Sequence, residues 1–315
     1  MKRFTNDANL DVHQHLWPAQ LIEALRARDA PPRLRDWTLE LTGEPPFEVD
    51  PRDHDPELRR RQALADGLDV ALVSISSPLG IELLAPHESR ELLDAYHDGM
   101  LALPEPFGAW AAACLTEIDP DALVRELDRG FVGLAVPANA LGDELGYVRL
   151  APLLDALADA GRPLFIHPGP ATAPQTAPPW WPIMVSYVGQ MHAAWYAFRA
   201  FGRRRHPTLR VCFAMLAGLA PLHGERFVAR TGLRNVVDED VFLDVSSYGL
   251  RAIDAIVRVL GIDVLVGGSD RPYALPAIPD LGAAAAHAIC GANPLRLLDR
   301  REVFDVLAVA SGPRP

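Results

Sequence analysis

The sequence predicts an α/β protein, a (β/α)8 TIM barrel with an insertion after its first strand. Three observations predict it. Short apolar runs recur along the chain with amphipathic stretches between them, the pattern of parallel βαβ units. Eight such runs can be marked, enough to close a barrel rather than leave an open sheet. Finally, no Gly-rich dinucleotide fingerprint follows the first run, where an open nucleotide-binding sheet would carry one; the chain there reads His13-Gln14-His15.

Taken in order, the candidate strands are 8–13, 70–75, 107–115, 131–136, 163–167, 209–215, 241–245 and 263–267. Amphipathic helical segments are expected at 119–129, 149–160, 189–201 and 251–260. The connection between the first two strands is too long for one crossover helix. It holds a helix-like piece, 19–28, and then a polar, Pro-rich excursion. The expectation is one domain over 1–315, with an insertion at about 16–68 lying over the barrel mouth. A second Pro-rich excursion, 169–182, follows the fifth strand and carries the pair Trp180-Trp181.

Composition narrows the function classes. Apolar residues make up 49% and charged residues 23% of the 315, the balance of a soluble globular chain. The net charge of −11, from 41 acidic and 30 basic residues, argues against nucleic-acid binding, which needs clustered cations. Basic charge is nearly all Arg, and Ala and Pro abound, as in products of GC-rich bacterial genomes. Cys114, Cys212 and Cys290 are odd in number and widely spaced, so they read as buried free thiols. The first residues are polar, with no apolar signal segment, and no run reaches the length of a membrane span. A cytoplasmic protein acting on a small molecule is expected.

The chemistry concentrates at strand ends. In Asp11-Val12-His13-Gln14-His15, side chains two apart point the same way, so His13 and His15 can present two imidazoles to one ion. Two unrelated histidines near a turn would look the same. The run Pro163-Leu-Phe-Ile-His167-Pro-Gly ends in a histidine, and Asp263-Val-Leu-Val-Gly-Gly-Ser-Asp270 ends in a carboxylate. Both fall on the rim where barrel enzymes build their sites. Three histidines and one aspartate from strands one, five and eight form a coherent ligand set for one divalent metal ion. Zn2+ is the first choice, and Mn2+ or Fe2+ also suit it.

These residues resemble the amidohydrolase superfamily, within it the branch that includes aminocarboxymuconate semialdehyde decarboxylase and related hydrolases. The resemblance runs from end to end: His13-Gln14-His15-Leu-Trp17, His167, Gly268-Ser-Asp270-Arg-Pro, and Gly291-Ala-Asn-Pro-Leu-Arg-Leu-Leu298. It implies that His13, His15 and His167 are metal ligands, and that Asp270 is both ligand and proton acceptor for a bound water. Relatives of this kind often form homodimers.

One departure stands out. Relatives carry a histidine after strand six, in a frame like Ala-His-Leu-Gly-Gly-x-x-Pro. Here the frame reads Ala214-Met215-Leu-Ala-Gly218-Leu-Ala-Pro221, and a thioether moves no protons. His192, or His223 just beyond the frame, is the candidate replacement base; either is otherwise a helix-surface or packing histidine. His54, His87, His97, His206 and His287 read as solvated or capping, with Arg203-Arg-Arg-His206 a solvated helix end. Trp17, Trp180, Trp181, Met215 and Tyr248 are candidate substrate contacts. Arg271, like Arg251, could pair with a substrate carboxylate, or sit in a structural ion pair.

The expectation is therefore a metal-dependent hydrolase of a small amide or lactone. The alternatives are a non-oxidative decarboxylase of an aromatic or muconate-like acid and a ligand-binding barrel that has lost catalysis with its strand-six histidine.

Overall fold

The computed structural model describes residues 8–274 and 281–298. Its strands, in chain order, are β1 (Leu10–Gln14), β2 (Arg33–Arg35), β3 (Thr38–Glu40), β4 (Phe47–Glu48), β5 (Val70–Val73), β6 (Phe107–Ala109), β7 (Leu134–Pro137), β8 (Leu164–His167), β9 (Val211–Phe213), β10 (Val241–Asp244) and β11 (Leu265–Val266). All but β2–β4 are parallel and correspond to the expected runs, each starting or ending inside its run, though β1 and β7 reach one residue beyond it.

These parallel strands pair in two groups, β1-β5-β6 and β7-β8-β9-β10-β11. Both seams between the groups are bridged. At one, Ala111 pairs with Leu134, and the Ala135 N–H donates to the Ala111 carbonyl at 2.8 Å. At the other, Gln14 pairs with Arg271, and the Val12 N–H donates to the Gly267 carbonyl at 2.8 Å. The result is the α/β barrel that the alternation predicted. Apart from Asp11, His13 and Gln14 of β1, its strands are buried and nearly all apolar until their last residues, as expected where helices cover the sheet.

Helices alternate with the strands and are set by ordinary local chemistry. Asp119 caps Pro120–Asp128 by accepting from the Ala122 N–H at 2.9 Å. Asp143 likewise caps Glu144–Ala160, which ends at Gly161 with a φ of 67°, a left-handed turn that glycine enters freely. The expected helices at 19–28, 189–201 and 251–260 appear as Ala19–Ala27, Tyr187–Ala197 and Leu250–Leu260.

The insertion is more ordered than its sequence suggested. It contains a small antiparallel sheet, β2-β3-β4, and the helix Pro56–Ala65. Leu34 and Leu39, paired across β2 and β3, bury themselves beneath a charged outer face. Among the described residues no helix is long and apolar enough to cross a membrane.

Candidate metal centre

The polar ends of β1, β8 and β11 converge at the carboxyl-terminal rim of the barrel. His13, His15, His167 and Asp270 bring one donor atom each to within 4.8 Å of one another. His13 Nε2 lies 3.1 Å from His15 Nε2, and Asp270 Oδ1 lies 3.5 and 3.3 Å from those two nitrogens. The histidines are buried, while Asp270 keeps 18% of its side chain exposed on the open side.

Each imidazole is fixed from behind. His13 Nδ1 donates to Asp244 Oδ2 at 2.7 Å, His15 Nδ1 to the Ser74 carbonyl at 3.1 Å, and His167 Nδ1 to the Pro168 carbonyl at 2.8 Å. A carbonyl can only accept, so Nδ1 carries the hydrogen and Nε2 turns a lone pair inward. Two bare lone pairs 3.1 Å apart repel, so either a proton on His13 or a metal ion must lie between them. Donors held at metal–nitrogen distance around one tetrahedral ion sit about 3.3 Å apart, close to the separations seen here. The residues fit a divalent ion.

Electrostatics show how strongly the site favours positive charge, met by a proton on His13 when no ion is bound. Burial opposes charge on His13, but the carboxylates of Asp244, Asp270 and Asp11 outweigh it and lift the imidazole to about 9. Burial pulls His15 down. Burial and then the two neighbouring imidazoles hold His167 well below the ordinary histidine range. Burial opposes ionisation of Asp270 as well, yet the surrounding histidines hold its carboxyl well below the usual range, so it is an anion at neutral pH.

A chain of buried polar groups supports the first strand. Arg59, from the insertion, donates to the His15 carbonyl at 2.8 Å and to Gln14 Oε1 at 2.7 Å. Gln14 donates to Asp11 Oδ2 at 2.7 Å, and Asp11 Oδ1 accepts the amides of His13 and Ser269, each at 3.0 Å. Beneath the cluster, Phe165 packs 5.0 Å from His13 and stacks on Trp110, giving an apolar floor. Ser247 donates to Asp270 Oδ2 at 3.1 Å, and the Tyr273 ring lies 5.5 Å from His15.

Several residues differ from their sequence reading. Trp17 is 1% exposed, stacked on His54 at 4.1 Å and bonded to Ser76, so it packs the core instead of walling an open pocket. The Arg271 guanidinium is paired with Asp66 at 2.7 Å, the structural role. His192 and His223 face each other, ring centres 5.1 Å apart, and His192 also meets Tyr196; neither is among the gathered donors. Trp180 is exposed and contacts Trp181, Tyr248 is half-buried, and Met215 gives its amide to Asp244. His54, His97 and His206 are buried, not solvated: His54 accepts the Trp17 N–H, His97 the Ala112 N–H, and His206 faces Asp155. Cys114 and Cys290 are partly exposed, whereas Cys212 is buried.

Asp244, Arg59 and Tyr273 were missed. Asp244 had a readable signal, since Val-Phe-Leu-Asp is another apolar strand ending in one ionisable residue. Arg59 had none, because its partners lie far away in sequence.

IDCase of Metarhizium anisopliae superposes with a TM-score of 0.77 at 18% identity, over 95% of this chain and 98% of the other. A protein described as amidohydrolase II gives 0.72 at 20% identity, over 92% and 99%. A mutant 5-carboxyvanillate decarboxylase of Novosphingobium aromaticivorans, with bound manganese and a nitrobenzoic acid, gives 0.70 at 18%, over 92% and 97%. The chain shares the fold of these structures. No family model and no curated protein sequence matches it.

These comparisons uphold the resemblance read from the strand-end motifs and correct the expected reaction. The similar structures include decarboxylases of 5-carboxyvanillate and of 2,6-dihydroxybenzoate, so the amide or lactone hydrolase reading gives way.

Proposed function

We propose that the protein is a metal-dependent, non-oxidative decarboxylase of a small aromatic or muconate-like acid. The observation that carries this reading is the four-donor cluster, His13, His15, His167 and Asp270, on a fold shared with decarboxylases of aromatic acids. Manganese in one of those structures makes Mn2+ the first ion to test, with Zn2+ and Fe2+ as alternatives.

When bound, such an ion would anchor the substrate carboxylate and draw off the negative charge that develops as the carbon–carbon bond breaks. The chain's own residues do the rest. His13, His15 and His167 hold their Nε2 atoms inward through fixed Nδ1 hydrogen bonds. Phe165 and Trp110 keep water from beneath the cluster. Loss of carbon dioxide leaves a carbon that must gain a proton. Asp270, anionic and on the open side, is the group placed to take a proton from the substrate and hand it to that carbon. Met215 leaves the end of β9 without a proton-handling side chain, which puts this task on Asp270.

The test is carbon dioxide release from a panel of hydroxylated and methoxylated benzoic acids by Mn2+-loaded protein. Release with formation of the matching arene supports the reading. No release across the panel and from muconate-like acids refutes it.

A further inference from the structure

We propose that β10 and the turn after it are the orienting element of the metal centre, with Asp244 positioning His13 and Ser247 positioning Asp270. This rests on the metal-centre reading above and adds what holds that centre in shape.

Asp244 gives no donor to the cluster, yet it is a fully buried carboxylate. Such a group is costly unless its oxygens are satisfied. Asp244 Oδ1 accepts the Met215 and Ser246 amides, each at 2.9 Å, and the Ser246 hydroxyl at 2.5 Å. Three donors on Oδ1 pin the carboxylate plane. Oδ2 is left facing His13 Nδ1 at 2.7 Å, which fixes the ring with Nε2 toward the cluster.

Three residues on, the same segment reaches the opposite ligand. Ser247 has a φ of 63°, a left-handed conformation that L side chains seldom adopt, and its hydroxyl donates to Asp270 Oδ2. Asp270 is left-handed too, with a φ of 57°. With Oδ2 held by Ser247, Oδ1 is the oxygen that meets His13 and His15. Asp244-Val-Ser-Ser247 thus steadies two ligands from two sides without supplying one. It also gives the end of β9 a part in the site, because Met215 contributes its backbone N–H to Asp244 in place of side-chain chemistry.

The test is Mn2+ affinity by chelator competition, together with the visible absorption spectrum of Co2+-loaded protein, which reports ligand geometry. Asp244→Asn is expected to bind Mn2+ about 10- to 100-fold more weakly, the loss typical of removing such a partner, with an altered Co2+ spectrum. Ser247→Ala, at an exposed position, is expected to fold normally, weaken binding several-fold and shift the same spectrum. Wild-type affinity and spectrum in both variants would overturn the inference while leaving the metal centre standing. Should Asp244→Asn not fold, Ser247→Ala decides alone, and its identity with wild type would overturn the inference. A wild-type protein that takes up no ion would overturn the metal reading and this inference with it.

Discussion

His13 Nδ1 donates to Asp244 Oδ2 across 2.7 Å, and the backbone of Gly268 runs directly against that pair. A Cβ at Gly268 would meet Asp244 Cβ at 2.8 Å, Asp244 Cγ at 2.9 Å and His13 Cβ at 3.0 Å. None of these atoms is the free end of a flexible side chain. The second glycine of Gly267-Gly268-Ser269-Asp270 is therefore required by close approach to the metal-ligand pair.

Gly268→Ala should push Asp244 and His13 apart. The expected outcome is a destabilisation of about 1–3 kcal/mol, typical of overpacking, with at least tenfold weaker Mn2+ binding. Thermal unfolding and chelator competition check it; wild-type values for both would show that the pair has room to give.

Arg59 links the insertion to the ligand strand. Arg59→Met removes donors from the carbonyls of His15 and Asp53 and from Gln14 Oε1, all at 2.7–2.8 Å, leaving buried acceptors unpaired. A loss of about 2–4 kcal/mol is expected by denaturant titration, together with weaker metal uptake. Unchanged stability would mean that water fills the gap.

Glu82 gives a pH-dependent prediction. It is fully buried, takes a hydrogen bond from Ser77 at 2.6 Å, and burial pushes its carboxyl up to about 7. In the unfolded chain it ionises near its ordinary value of 4.5. Between those values the folded protein holds a proton that the unfolded one has released, so this group's contribution to stability falls as pH rises through that window. Glu82→Gln cannot ionise. Its melting temperature should be close to wild type at pH 4.5 and higher than wild type by a few degrees at pH 8. A difference that does not grow with pH would remove Glu82 as the cause.

The barrel was legible because its strands are short apolar runs, and β1, β8 and β10 end in a polar or ionisable residue, as Leu164–His167 does. The same regularity exposed the four donors, since His13, His15, His167 and Asp270 all sit where an apolar run stops. Asp244 obeyed that rule and was passed over because no motif surrounded it. The sheet β2-β3-β4 was hidden, as strands of two or three residues leave too little alternation to stand out from Arg, Glu and Pro. His54, His97 and His206 looked solvated because the groups that bury them, Trp17, Phe131 and Asp155, come from distant segments. The reaction type was the least legible feature: one cluster of three imidazoles and a carboxylate can serve hydrolysis or decarboxylation, and residue pattern alone does not separate them.

The most direct measurement is carbon dioxide release from an aromatic acid by protein stripped with a chelator and then resupplied with Mn2+, run beside a His13→Ala/His15→Ala double variant. Release that vanishes on stripping and returns with Mn2+ in the wild type alone is the predicted result. Release that survives stripping, or that Mn2+ restores equally in the double variant, would contradict a metal-dependent decarboxylase built on these residues.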